Sequence, residues 1–246
     1  VQLSYSVITV CLNAARTIER TVESVFAQQP APVEYVFVDG GSTDGTRQVV
    51  DRCWSNAASP PTKIWVNQGG ARGITNAWNM GLQLVQAPVV FIINADDWYE
   101  SECASAVLQR FEGAPDLDIL SGSVRLWDRD APNCRRVIHA RKRWLAPFLN
   151  PLCHPATFVR RRVYQELGGF DEQYAVAADY EFTFRCISAN KKIAIDRSLV
   201  VNHEAGGFAA QNRIRARREQ SEIARRYCNS FLLPFISRAI RTAVGR

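Results

Sequence analysis

The 246-residue chain has no apolar run long enough to span a bilayer, and its N-terminus lacks a signal-peptide layout. Its seven cysteines are odd in number, scattered from position 11 to position 228, and never spaced as CxxC. That pattern argues against a disulfide framework or a zinc ribbon and fits buried thiols in a reducing compartment. His139, His154 and His203 also lack zinc-motif spacing. Neither GxGxxG nor the phosphate-loop pattern GxxxxGKS/T occurs, so the two common nucleotide-binding fingerprints are missing. There is no internal repeat, no low-complexity tract and no linker-like segment. What remains is a chain of the right length for one large domain with a sizeable core.

Charge is unevenly placed. The formal net charge is +6, yet from Arg213 onward nine arginines face only Glu219 and Glu222. The basic character belongs to the C-terminal stretch and concerns partners rather than fold. No nucleic-acid recognition motif accompanies it, so nucleic acid is not an expected partner.

The organising stretch is Pro88 to Tyr99. Val89 to Ile93 are apolar without alternation, as in a strand covered on both faces within a parallel sheet. The run ends in Asn94, Asp96 and Asp97. Two adjacent carboxylates at a strand end repel each other, and a hard divalent ion such as Mn²⁺ or Mg²⁺ relieves that repulsion while accepting phosphate oxygens. The plainer alternative is a polar turn leading into the next helix. A carboxylate at a strand edge is also expected to support little core packing.

Around this stretch the chain alternates. Tyr5 to Cys11 and Val33 to Val38 read as strands, separated by a helix over 17–29 whose apolar face holds Ile18, Val22, Val25 and Phe26. Pro30 and Pro32 end that helix. Asp39 to Thr46 is a turn rich in glycine and capping side chains, with Ser42 or Thr43 placed to cap a following helix. A weaker strand at Lys63 to Val66, a flexible Gln68–Gly73 segment and a helix from about Ile74 to Val85 lead to the organising strand. Short connections between strands and helices predict an α/β domain with a mostly parallel sheet flanked by helices. Ligands of such sheets sit beyond the C-terminal strand edges, which would gather Asp39, Asp96 and Asp97.

After Asp97 the rhythm loosens. A helix over 103–111, a strand over 116–124 reaching toward Trp127, and an antiparallel partner at 135–138 are expected. An irregular stretch over 141–153 and a return to the sheet at 154–160 follow. Then come short helices at 162–167 and from about 179 or 180 to 189, and extended pieces at 192–195 and 200–203. Arg160, Arg161 and Arg162 read as a solvated run, and His154 as a structural histidine. Two long amphipathic stretches close the chain.

At this point the chain resembles the family 2 glycosyltransferases of the GT-A fold over about residues 5–205. Ser6-Val-Ile-Thr-Val-Cys-Leu-Asn13 is similar to that family's first strand. Val38-Asp-Gly-Gly-Ser-Thr-Asp-Gly-Thr46 is similar to its nucleotide-binding turn, and Ile93-Asn-Ala-Asp-Asp97 to its DxD-type element. Gly168-Gly-Phe-Asp171 and Ala178-Asp-Tyr-Glu-Phe182 are similar to its acceptor-side segments. Five motifs in the family's order are specific where one would not be. Gly40 stands where the family often has a second Asp, and Trp78 where it often has Arg. Both departures bear on nucleotide identity. The Gly-Gly turn and Trp78 resemble a subset that acts in capsule, exopolysaccharide and lipopolysaccharide assembly.

The resemblance implies roles position by position. Asn13, Asp39, Gly41 and Asp96 would bind the nucleotide, with Asp39 at the base and Asp96 near the ribose and diphosphate. Asp97 would hold the metal, Mn²⁺ or Mg²⁺, with His203 as a looser match. Asp179 would be the base of an inverting transfer, with a helix N-cap as its structural alternative and Glu181 as its neighbouring rival. Trp98 and Glu181 would face the sugar or acceptor. The implied reaction moves a sugar from a nucleoside-diphosphate sugar, usually a UDP-sugar, to a saccharide or lipid-linked saccharide. An inactive sugar-nucleotide-binding homologue, a retaining enzyme and a nucleotidyltransferase are the rivals. The expected organisation is a catalytic domain over 1–212, nucleotide half to about 98 and acceptor half after it, then a basic amphipathic helical extension over 213–246. In that extension Phe231, Leu232, Phe235, Ile236, Ala239, Ile240 and Ala243 make one apolar face beside arginines. The face would lie on a membrane, on the catalytic domain or on the second subunit of a homodimer. The expected location is the cytoplasm, with peripheral contact at the cytoplasmic face of the inner membrane.

Overall fold

Seven consecutive buried residues, Tyr5–Cys11, form the first strand, β1. Its β-branched residues suit a pleated surface covered on both sides. The computed structural model describes residues 3–70, 72–128 and 133–228. Helix α1 (Ile18–Phe26) buries Ile18, Val22 and Val25 of the expected apolar face and also Thr21, while Phe26 is partly buried against the core. Strand β2 (Glu34–Asp39), helix α2 (Thr46–Asn56), strand β3 (Thr62–Asn67), helix α3 (Ile74–Leu84) and strand β4 (Val89–Asn94) follow. Strands β3, β2, β1 and β4 lie side by side in that order, and every pairing among them is parallel. The register aligns Cys11 with Asp39 and Val10 with Asn94, so the ends of β1, β2 and β4 share one edge.

The second half continues the same sheet with mixed directions. After the two-residue β5 (Trp98–Tyr99) come α4 (Cys103–Gly113), β6 (Ile119–Trp127) and β7 (Cys134–His139). Then follow β8 (Thr157–Arg160), α5 (Arg161–Leu167), α6 (Ala178–Ser188), β9 (Ile193–Glu204), α7 (Phe208–Gln211) and α8 (Arg213–Cys228). The nine-stranded order is β3-β2-β1-β4-β8-β6-β9-β5, with β7 beside β6. Strand β8 runs antiparallel to β4 and β6, while β9 runs parallel to β6. The result is the expected α/β sheet flanked by helices.

Several elements differ from their sequence reading. The two extended pieces at 192–195 and 200–203 are one strand, β9, with a register shift opposite Gly122. A Cβ at Gly122 would stand 2.5 Å from the Leu199 carbonyl oxygen, so the residue there must be glycine for the strands to pass. Neither Ser42 nor Thr43 caps α2. Gly45, in the left-handed region, occupies the N-cap position, and the Asp44 carboxylate accepts the Thr46 N–H. The arginine run is not simply solvated: Arg160 donates to the Phe111 carbonyl at 2.9 Å, and Arg162 pairs with Asp118 at 3.0 Å.

Helix α8 packs along α6. Glu219, Ile223 and Ala224 are buried, and Tyr227 stacks on Phe184 with ring centroids 5.2 Å apart. The described part of the extension therefore lies on the catalytic domain. The apolar face over Phe231 to Ala243 falls outside the described residues. No helix among the described residues is long and apolar enough to cross a membrane.

Gly122→Ala is expected to cost about 1–3 kcal/mol, since the clash is with backbone that has no rotamer to change. Gly113→Ala, where a Cβ meets nothing within 4 Å, is the control. Urea unfolding of both variants checks this, and equal midpoints would refute it.

Candidate functional site

The shared C-terminal edge of β1 and β4 opens into a cleft of about 1060 Å³. Val10 to Ala14 form one side. Asn94 to Asp96, at the end of β4, also line it. So do Ala77 and Trp78 in α3, and Ala175, Val176 and Asp179 at the entry to α6. Glu204 and residues 207–209 and 211 close the remaining side.

The Asp39 turn is built by its own hydrogen bonds. Asp39 Oδ1 accepts the Ser42 N–H at 3.0 Å and the Ser42 hydroxyl at 2.6 Å. The Asn13 N–H donates to Ser42 Oγ at 2.9 Å, and Asn13 Oδ1 accepts the Thr43 N–H at 3.0 Å. Gly41 has φ of 97°, a left-handed turn position that favours glycine. Asp39 is buried, while Gly40 and Asn13 line the cleft. The turn reading of Asp39 thus holds for one oxygen, and the same bonds bring the loop backbone to the cleft.

The paired acids divide. Asp96 lines the cleft. Burial, and next the negative charge of Asp97, push its carboxyl up to about 6. Asp97 is fully buried and is not part of the cleft wall. Its Oδ1 accepts His203 Nδ1–H at 2.6 Å and the Glu204 N–H at 3.3 Å, and its carbonyl accepts the Thr21 hydroxyl at 2.7 Å. Burial opposes the charge on His203, but the Asp97 carboxylate, then Asp96 and Glu204, raise it to about 9, so the imidazole keeps its second proton at neutral pH. The expectation that Asp97 contributes little to packing is corrected. Removing it would strand His203 and a buried N–H, which costs stability.

As donors for a divalent ion, Asp97 and His203 fit poorly, because each already holds the other. Among the described residues no group of three or more His, Cys, Asp or Glu is arranged around a metal position. Asp96 fits better. It faces the cleft, and a single carboxylate with substrate phosphates is a common donor set for Mg²⁺.

Asp179 also lines the cleft. It is the second residue of α6. The N-cap position falls to Ala177, which has no side-chain cap bond, and the Asp179 carboxylate meets the backbone N–H groups of Tyr180 and of its own residue. Asn150 Nδ2 donates to its Oδ2 at 2.8 Å. Burial pushes its carboxyl up to about 6.

Glu181 and Trp98 are not brought to the cleft. Glu181 is buried, receives Arg185 Nε at 2.9 Å on both oxygens, and accepts the Tyr227 hydroxyl. Arg185 in turn donates to the carbonyls of Leu167 and Gly169, tying α6 to the Gly-Gly turn. The Trp98 ring lies 3.5 Å from the Arg20 guanidinium carbon and packs on Trp127. An apparent sugar platform is thus covered by an arginine.

Sequence reading did not bring Arg20, Glu204, Trp78 or His154 to the cleft they line, nor Asn150 to Asp179. Arg20 and Glu204 line the cleft and pair at 2.9 Å. Glu204 directly follows His203, which was the available signal. Nothing local marks Arg20, or Asn150 in its irregular segment. His154 lines the cleft against the Trp78 ring, 4.4 Å between centroids, and burial pushes its pKa down to about 4. Trp78 had stood out only as a departure from a basic residue.

The chain is similar to several known proteins. A PGL/p-HBAD biosynthesis glycosyltransferase of Mycobacterium bovis is 26% identical over 190 residues, covering 75% of this chain and 70% of the relative. An uncharacterized glycosyltransferase of Nostoc sp. is 25% identical over 248 residues, covering 94% and 76%. Among solved structures, the mannosyltransferase PcManGT from Pyrobaculum calidifontis in complex with GDP-Man and Mn²⁺ superposes with a TM-score of 0.70 at 19% identity, over 91% of this chain and 63% of that one. TarS 1-349 of S. aureus in complex with UDP-GlcNAc gives 0.69 at 17%, over 90% and 66%. The chain spans just under two thirds of these two structures, and at such identities the likeness is one of fold. The model of the family described as "Glycosyl transferase family 2" matches residues 6–213. That match takes in both walls of the cleft and most of the sequence, and the chain belongs to glycosyl transferase family 2, as an enzyme of the glycosyltransferase type.

Proposed function

We propose that the chain is an inverting glycosyltransferase. It would move a sugar from a nucleoside-diphosphate sugar, most simply a UDP-sugar, to a hydroxyl of a saccharide or lipid-linked saccharide in cell-surface polysaccharide synthesis. The observation that carries the reading is one cleft with two carboxylates from different elements, Asp96 from the end of β4 and Asp179 from the first turn of α6. Neighbours of the same fold bound to GDP-Man and to UDP-GlcNAc support a nucleotide-sugar donor.

In this reading Asn13, Asp39 and Gly41 shape the loop that receives the base and ribose, within the half up to about residue 98. The acceptor occupies the half over 99–212. Asp96 faces the diphosphate and would hold Mn²⁺ or Mg²⁺, which when bound neutralises the charge of the departing diphosphate. The Asp97–His203 pair keeps the turn that presents Asp96. Asp179 takes the proton of the acceptor hydroxyl as the hydroxyl attacks, and Asn150 holds its carboxylate in place.

A base must be ionised to act. Because the Asp179 carboxyl is raised to about 6, turnover is expected to fall below about pH 6, rather than below the usual carboxylate range, by about tenfold per pH unit. Asp179→Asn should keep nucleotide binding while turnover drops by about 10²–10⁴-fold. A pH profile and single-turnover assay check both, and NMR of the product's anomeric configuration separates inversion from retention. Full activity in Asp179→Asn would overturn the assignment.

Asp96→Ala is expected to abolish Mn²⁺-dependent nucleotide binding with little loss of stability. Asp97→Ala should lower the melting temperature as well as the activity. Calorimetric titration of UDP and GDP with and without Mn²⁺, beside thermal unfolding, distinguishes the two variants. Undiminished turnover in excess EDTA would sink the metal role.

We also propose peripheral contact of the basic extension with anionic lipid. Arg213, Arg217, Arg218 and Arg225 are exposed on α8. The full chain should pellet with anionic vesicles at low salt, and less as salt screens the attraction. A chain ending at Ser230 should pellet less. Equal pelleting of the two, or none at low salt, excludes this role.

A further inference from the structure

Helix α6 begins without a capping side chain of its own, yet the peptide N–H groups ahead of it are satisfied. The Glu219 carboxylate, from the middle of α8, accepts three of them in succession: Ala175 at 3.2 Å, Val176 at 2.8 Å and Ala177 at 2.9 Å. The Ala177 carbonyl then accepts the N–H groups of Tyr180 and Glu181, closing the first turn. Asp179 lies within this first turn, and Ala175 and Val176 line the cleft beside it. Glu219 is 6% exposed, and Arg215 Nε donates to its Oε1 at 2.7 Å. Burial works against its charge, but the three N–H groups and Arg215 hold its carboxyl below the usual range.

This carboxylate comes from 42 to 44 residues further along the chain. It also lies past residue 213, where the family match ends. A surface glutamate on a solvated helix would do none of this. A buried acid whose only described partners are the turn before Asp179 and one arginine has a single evident consequence: it sets where α6 starts.

We infer that Glu219 is a positioning residue for the transfer reaction, a latch by which α8 sets the height and direction of Asp179 in the cleft. The inference rests on the reading of Asp179 as the base. The extension after residue 212 is, on this account, part of the catalytic unit. A shift of the first turn by about 1 Å would cost on the order of 10²-fold in rate, while the nucleotide side of the cleft, built on β1 and β4, would keep its shape.

The test uses the full chain carrying Glu219→Ala, Glu219→Gln or Arg215→Ala. Turnover is read as diphosphate-nucleotide release from whichever member of a UDP- and GDP-sugar panel the unaltered chain uses fastest. Nucleotide affinity is read by titration with UDP and GDP in the presence of Mn²⁺. Amide exchange of Ala175, Val176 and Ala177 is measured in the unaltered chain and the variants. The expected result is a fall in kcat of about 10–100-fold for Glu219→Ala with nucleotide affinity within about two-fold. Glu219→Gln, which keeps an acceptor oxygen, should fall between that variant and the unaltered chain. Arg215→Ala should stay within about two-fold, since a half-exposed ion pair contributes little. The three amides should be protected in the unaltered chain and exchange faster in Glu219→Ala. Unchanged kcat in Glu219→Ala, or kcat and nucleotide affinity falling together, overturns the latch. So does rapid exchange of the three amides in the unaltered chain, a readout that holds even if Glu219→Ala fails to fold. Turnover that survives Asp179→Asn would instead overturn the assignment of the base, whatever Glu219 does.

Discussion

The buried pairing of Asp97 with His203 joins the two halves of the molecule. Asp97 follows β4, the last strand of the all-parallel half, and His203 belongs to β9, which lies beyond β8 and β6 in the sheet. A charge as deeply buried as Asp97 is tolerated only with a partner and hydrogen bonds, and removing one partner of such a pair costs about 3–5 kcal/mol. The constraint therefore acts on geometry. With Asp97 turned inward to His203 and to the Glu204 N–H, the peptide before it must present Asp96 to the cleft and the peptide after His203 must present Glu204. Arg20 crosses between them, donating to the Asp96 carbonyl at 3.3 Å and to Glu204. Asp96 and Glu204 are set by an ion pair that is not itself in the cleft.

This explains which parts of the site could be read from sequence. The apolar run Val89 to Ile93 predicts a buried strand, because a strand covered on both faces needs no alternation. The register then carries Asp39 and Asn94 to one edge, as parallel strands with short connections require. The orientation of two adjacent acids is different. Asp96 and Asp97 lie in the turn after Asn94, where the strand's two-residue alternation has stopped, so nothing local says which one faces inward. The partner that decides it is 106 positions away. The resemblance named both Asp179 and Glu181, and the structure puts Asp179 on the cleft wall and Glu181 away from it. On a helix, residues two apart point to different sides, and Glu181 was already claimed by Arg185 and Tyr227.

The same limit applies to α8. Its arginines are conspicuous in the sequence and suggest a partner. Its glutamate, read there as a small offset to that charge, makes three backbone hydrogen bonds. Periodicity does mark one face, Glu219, Ile223 and Tyr227 at spacings of four, but only the position of α6 shows that the acid on that face meets N–H groups instead of solvent. A helix start that lacks its own Ser, Thr, Asp or Asn is a question a sequence raises, and the answer can come from far along the chain.

The electrostatics of the cleft bear on how an anionic donor enters it. Asp96, Asp179 and Glu204 all line the wall beside Arg16 and Arg20, and Arg20 is already engaged with Glu204 and stacked on Trp98. Asp96 and Asp179 both hold their protons to about 6, each mainly because burial disfavours the charged form. A diphosphate brought against such a wall meets like charge in a site of reduced dielectric, where repulsion is stronger than in water. A divalent cation shared by Asp96 and the diphosphate would remove that repulsion there, and it would leave Asp179, on a separate element, free to respond to the acceptor alone. In the proposed reading, the placement of the two acids on different elements, the end of β4 and the first turn of α6, would separate the group that meets the leaving diphosphate from the group that takes the proton. Each can then be held at the protonation state its task needs.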